Sequence, residues 1–294
     1  MFAQFFGSFL LHKGLVTAKD LTQAFEEKKN TRMRLGVLAI NAGLMTSEQV
    51  EHVNVTQQSV DKRFGDLCVE LGYLTDSDVE RLLSEQPTDY LLLGQTLVNS
   101  GVMSNSDFEK AIIEYKDENS LSNDDISGNQ SDKLSKLISG FYHFDTAANA
   151  RIYTEFTTLL FKDIIRFIGD DFTPLGSSII HELEAPHIVK QCITGAYNSI
   201  TCVAADTAEY MAFAERFAKE EFTEVDDFVD ATVGEFMNVN NGLFTVNESN
   251  EHGIELQLDP QEIHNDEKIV FENPAFLIPV SFSFGEVNFV ISNG

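Results

Sequence analysis

RFGDLCVELGYLTDSDVERLLSEQ, residues 63–86, has two glycines seven positions apart and a threonine three positions after the second one. The same frame recurs through the first part of the chain. Gly7, Gly36, Gly65 and Gly94 form one set and Gly14, Gly43, Gly72 and Gly101 another, both in steps of 29 residues. Thr17, Thr46, Thr75 and Ser104 keep the step, each followed three residues on by Asp20, Gln49, Asp78 or Asp107. A hydroxyl followed by a carboxylate or amide three positions later starts a helix, because each side chain can bond the other residue's backbone N–H. The second glycine of each unit stops the preceding helix by taking a left-handed conformation at little cost. Each unit therefore reads as helix, turn, helix, with Val79, Leu82 and Leu83 at helical spacing in the third. Four such units predict an all-helical repeat domain over residues 1–116.

Residues 117–132, DENSLSNDDISGNQSD, have only Leu121 and Ile126 as apolar members and read as a polar linker. Residues 133–294, with a core over 150–294, mix the two periodicities. IYTEFTTLLFKDIIRFIGDD (152–171) predicts an apolar helix ending near Gly169. SITCVAAD (199–206) predicts a strand, TAEYMAFAERFAKE (207–220) and DDFVDATVGEFMNVNNG (226–242) predict helices, and IELQL (254–258) predicts another strand. FLIPVSFSF and EVNFVIS follow as strands turning tightly at Gly285. The fold class is multidomain: an all-α helical-repeat domain, then an α+β domain with a mainly antiparallel sheet.

The charge is uneven. Of the net −27, residues 1–116 hold 11 basic against 16 acidic side chains, and the remaining residues hold 9 against 31. The second half repels polyanions, and helices such as DVERLLSEQ offer carboxylates to phosphates, so a nucleic-acid polymer is not an expected partner. With 43% hydrophobic residues and 24 phenylalanines, two cores can form. No window is long and apolar enough to insert in a membrane and the N-terminus has no leader pattern, so a cytoplasmic location is expected. Cys68, Cys192 and Cys202 are odd in number and lack metal spacing, which predicts buried small side chains. His181 and His187 in HELEAPH lie near Glu182 and Glu184, but Pro186 breaks the segment and no metal site is expected.

Two details exceed what packing requires. Arg34 and Arg63 stand two residues before the first glycine of units two and three, and Gln57 and Gln86 stand twenty-one residues after it; the outer units have neither. Arginine offers a planar fork to phosphate or to a guanine edge, and glutamine both donates and accepts. In the second half, Glu235 and Asn238 lie three apart and can project together from one helix. The stripe Val225, Val229, Thr232, Phe236 and Val239 is expected to pack on the sheet, and a solvated polar flank is the plain alternative for the Glu–Asn pair.

Residues 34–57 and 63–86, with a five-residue spacer at 58–62, resemble the paired 24-residue motifs of the MshE-type N-terminal domain (MshEN), related to the N-terminal domain of type II secretion ATPases. That resemblance implies cyclic di-GMP binding at Arg34, Leu35, Gly36, Gly43, Gln57, Arg63, Phe64, Gly65, Gly72 and Gln86. Phe64, Tyr73, Ala39, Cys68 and Asn54 depart from the pattern.

Residues 150–294, with Glu235, Asn238 and Gly242 in an ExxNxxxG element, resemble the CheX family of chemotaxis phosphatases. The resemblance implies hydrolysis of the aspartyl phosphate on a CheY-like response-regulator receiver in chemotaxis or two-component signalling. Glu235 would dock and Asn238 would orient water. It implies a homodimer, no cofactor of its own, and Mg2+ supplied by the receiver. Ala231 stands where relatives carry Asp or Ser. The alternative is a non-catalytic adaptor that binds cyclic di-GMP, a receiver, or both.

Overall fold

The computed structural model describes residues 1–84, 88–122 and 131–293. Contacts divide the chain into two compact units, one spanning Phe2–Lys133 and the other chiefly Leu134–Gly294.

Among the described residues of the first unit, the helices are α1 (Phe2–His12), α2 (Ala18–Lys28), α3 (Leu35–Asn41), α4 (Ser47–Gln57), α5 (Phe64–Glu70), α6 (Asp76–Ser84), α7 (Asp89–Asn99) and α8 (Asn105–Glu118). Thr17, Thr46 and Ser104 each make the reciprocal cap with the residue three positions on. Thr75 and Asp78 do the same: the Thr75 backbone N–H donates to the carboxylate at 3.0 Å, and the Asp78 N–H donates to the hydroxyl at 3.2 Å. Gly14, Gly43, Gly72 and Gly101 all have φ between 67° and 75°, the left-handed value that closes the preceding helix. The other glycine set serves packing: a Cβ on Gly36 would lie 2.8 Å from Val50, and one on Gly94 would lie 2.2 Å from Phe108. Helices remote in sequence pack together, α1 on α7 and α3 on α8. Phe6 sits among Tyr90, Phe108 and Tyr115, its ring centroid 5.2 to 6.4 Å from theirs.

The segment expected as linker, 117–132, is shorter at both ends. Asp117 and Glu118 complete α8, and Ser131 and Asp132 begin α9 (Ser131–Phe141); residues 123–130 lie outside the described residues.

In the second unit, α10 (Ala150–Asp163) runs into a wider π turn, Ile164–Ile168, and stops at Gly169. The strands are β1 (Phe172–Pro174), β2 (Ser178–Gly195), β3 (Ser199–Ala205), β4 (Leu256–Leu258), β5 (Glu262–Phe282) and β6 (Gly285–Asn293), with α11 (Thr207–Ala218) and α12 (Asp227–His252) between β3 and β4. All pairings are antiparallel in the order β1–β5–β6–β3–β2–β4. β2 also pairs β5, so β5, β6, β3 and β2 close a ring. Leu183, Ile188, Cys202, Ala204, Ile269, Phe271, Ala275 and Val290 form a buried cluster on these four strands. Strand side chains alternate between faces, so Thr201, Val203 and Ala205 turn the other way, toward the helices.

Three expectations change here. β2 and the first half of β5 are strands where none was predicted, and Pro186 lies inside β2. The ladder passes from Ala185 opposite Glu267 to His187 opposite Asn265, and Asp266 between them has φ 53°, so the proline takes no regular ladder position. IELQL contributes only Leu256–Leu258 to a strand. The helix expected over 226–242 continues ten residues further, because Leu243 and Phe244 extend its apolar side and Gly253, with φ 66°, is the residue that ends it.

Candidate functional site

α12 begins where the Asp226 carboxylate accepts the backbone N–H groups of Phe228 and Val229, both at 3.0 Å. Val229, Val233, Phe236, Met237 and Phe244 turn inward. Phe236 packs edge-on against Phe213 and Phe217 of α11, at 5.0 and 5.7 Å between centroids. This face differs from the predicted stripe: Val225 precedes the helix and Val239 is only half-buried, while Val233 and Met237 are buried.

Anchored in this way, α12 presents Ala231, Glu235, Asn238 and Gly242 along one side, at spacings of four, three and four residues. Glu235 is exposed and Asn238 half-buried. The two expected site residues meet: the Asn238 Nδ2 group donates to Glu235 Oε2 at 3.4 Å. A Cβ on Gly242 would meet nothing within 4 Å, so packing within this chain does not account for the glycine. Beside the first turns of α12 lies a cavity of about 470 Å3, lined by Asp227, Asp230, Ala231, Gly234, Gln261, Ile263 and Asn265.

Behind Asn238 is a buried polar network that the sequence reading missed. Gln191 Nε2 donates to Asn238 Oδ1 at 3.2 Å and to the Asp259 carbonyl at 2.9 Å. Asn241 Nδ2 donates to Gln191 Oε1 and to Thr201 Oγ1, both at 2.8 Å. The available signal was Gln191 itself, a polar residue at the inward position between Val189 and Ile193.

His187 has a hydrogen-bond partner at each ring nitrogen. Its ring hydrogen-bonds Asn265 Oδ1 at 2.9 Å and Thr207 Oγ1 at 3.0 Å and stacks on Tyr210, whose hydroxyl donates to Asp230 at 2.9 Å. Burial, with the neighbouring Asp230 carboxylate, pushes the Tyr210 hydroxyl up. Among the described residues, Glu155, Glu248 and His252 converge within 4.8 Å of one another, but Arg151 already spans both Glu248 oxygens at 2.5 and 3.0 Å. The cysteines are free; Cys68 and Cys202 are buried and Cys192 is half-buried.

In the first unit, Arg34, Leu35, Gly36, Gln57 and Phe64 line one cavity of about 310 Å3, together with Val50, Asn54, Gln95 and Asn105. Gln95 and Asn105 come from the fourth sequence unit, and Gln95 accepts the Arg34 backbone N–H at 3.2 Å. Arg63, Gly65, Gly43 and Gly72 do not line that cavity, and Gln86 lies outside the described residues. The Gln57 amide donates to the Lys62 carbonyl at 2.9 Å. Neither the Arg34 nor the Arg63 side chain pairs with a carboxylate among the described residues.

No family model matches the chain, and no curated protein matches it. Among solved structures, it is similar to a chemotaxis protein CheX from Desulfovibrio desulfuricans, at 17% identity over 49% of this chain and 99% of that one, with a TM-score of 0.44. It is also similar to a CheC-like superfamily protein from Shewanella sp. PV-4, at 14% identity over 50% of this chain and 99% of that one, with a TM-score of 0.45. A third is the CheX–CheY–BeF3–Mg2+ complex from Borrelia burgdorferi, at 15% identity over 48% of this chain and 97% of the matched chain, with a TM-score of 0.42. No helix among the described residues is long and apolar enough to cross a membrane.

Proposed function

We propose that residues 134–294 form a CheX-like phosphatase for the aspartyl phosphate of a receiver domain. The observation that carries the reading is the meeting of Glu235 and Asn238 on the outward side of α12, with Asn238 hydrogen-bonded from behind by Gln191. An acyl phosphate is already activated, so the catalyst has mainly to place water in line with phosphorus. Asn238 holds that water. The water oxygen bonds to phosphorus as the bond to the aspartyl oxygen breaks, giving phosphate and a free carboxylate, and the water's proton leaves with the phosphate or to solvent. The receiver's own Mg2+ and lysine balance the developing charge, and Glu235 pairs with that lysine to fix the docked pose. Gly242 keeps the same side of α12 low where a partner approaches. The reading includes a homodimer through this unit, checked by its mass in solution.

The first unit we read as a cyclic di-GMP site. It is supported by the convergence of Arg34, Gly36, Gln57 and Phe64 on one cavity. Since Arg63 stands outside that cavity, Arg34→Ala is expected to weaken cyclic di-GMP binding by at least tenfold, the loss of one charge-assisted fork worth about 1.5–3 kcal/mol, and Arg63→Ala by less. Calorimetry on the full chain reads both; no heat with wild type at high micromolar nucleotide rejects the site.

The phosphatase reading is tested by adding purified protein to CheY-type receivers phosphorylated with a small-molecule phosphodonor. Faster phosphate loss supports an enzyme. Binding without acceleration of any receiver from the same genome replaces it with the adaptor.

A further inference from the structure

The proposed chemistry needs Asn238 to present one fixed end of its amide, and the structure assigns that task to Gln191, a positioning residue; the inference rests on the phosphatase reading above. The orientation follows from groups that can play only one part. The Asp259 backbone carbonyl only accepts, so the end of the Gln191 amide facing it at 2.9 Å is the NH2. That same NH2 reaches Asn238 at 3.2 Å, which requires Asn238 to turn its oxygen inward. At the other end, the Thr201 hydroxyl donates to the Gln191 backbone carbonyl at 3.1 Å, leaving its oxygen to accept from Asn241 Nδ2. The second bond from Asn241 Nδ2 then goes to Gln191 Oε1. Every link agrees on one direction.

Gln191, Thr201 and Asn241 are each at most 2% exposed, so water does not compete for the bonds among these three; Asn241 Oδ1 finds no partner among the described residues, and a reversed Asn241 amide would set that oxygen against Gln191 Oε1. The consequence at the surface is specific. Asn238 shows its NH2, not its oxygen, on the side where Glu235 stands. Water there accepts an N–H from Asn238 with one lone pair and keeps the other for phosphorus.

The test is the steady-state dephosphorylation of a CheY-type receiver by full-length Gln191→Leu and Gln191→Glu, corrected for the receiver's own decay and run on protein shown folded by circular dichroism. Gln191→Leu removes the donor: kcat is expected to fall about tenfold or more with KM within about twofold, the signature of lost orientation rather than lost docking. In Gln191→Glu the introduced carboxylate only accepts, so it turns the Asn238 amide over and lowers kcat at about pH 8. Burial raises the pKa of that carboxyl, and below it the protonated group regains a single O–H donor, shared between Asn238 Oδ1 and the Asp259 carbonyl. Activity relative to wild type therefore recovers in part as the pH is lowered toward about 6, which a purely structural role does not produce. A folded Gln191→Leu with wild-type kcat, or a Gln191→Glu deficit that is flat with pH, overturns the positioning role alone. Wild-type protein that accelerates no receiver overturns the phosphatase reading and this inference together.

Discussion

Glu248 is a carboxylate with 1% exposure, and its partners show how this unit tolerates buried charge. Burial works to raise its pKa, but the Arg151 guanidinium at 2.5 and 3.0 Å and the Tyr197 hydroxyl at 2.7 Å hold the carboxyl below its ordinary range. Arg151→Met strands that charge. The expected loss is about 3 kcal/mol, the low end for a buried pair because the Arg151 side chain is itself 39% exposed. Urea unfolding measures it, and a change below about 0.5 kcal/mol contradicts the role. At this scale the sequence showed some residues and hid others. The meeting of Glu235 and Asn238 was legible because three-residue spacing on a helix is a local rule. Gln191 and Asn241 were not, since their bond joins a strand to a helix 50 residues away.

Elements were legible where their ends are written in the sequence. The caps at Thr17, Thr46, Thr75 and Ser104 and the left-handed glycines are such marks. β2 and the first half of β5 carry none: Glu182, Glu184, Glu267 and Lys268 dilute their alternation, and their pairing is long-range. The junction of α10 with its π turn gives an element-scale prediction. Asp163 there is 3% exposed, one of its oxygens has no partner among the described residues, and burial raises its pKa from 3.8 to about 6. A raised carboxyl is harmless to the fold below the unfolded value and costs stability as pH rises through the folded one. Asp163→Asn is therefore expected to stabilise by on the order of 2–3 kcal/mol at pH 8, with about half remaining at pH 5. Thermal melts at the two pH values check it; an equal gain at both, or none, contradicts the assignment.

On the scale of the molecule, the two compact units offer two different kinds of candidate site. The first has a cavity at Arg34 and Gln57 within a helical core, and the second has an outward helix side at Glu235 and Asn238. The charge imbalance agrees with this division, because Arg34 of the proposed nucleotide site lies in the less acidic half. The acidic second half suits docking through a cationic group on a protein partner rather than capture of a free anion. Of these claims, catalysis by the α12 pair is central. The most direct measurement is phosphate release from one phosphorylated receiver by wild type and by Asn238→Ala at matched folded concentration. The account predicts acceleration by wild type and a loss of about a hundredfold in Asn238→Ala with the receiver still bound; an Asn238→Ala protein that releases phosphate as fast as wild type contradicts it.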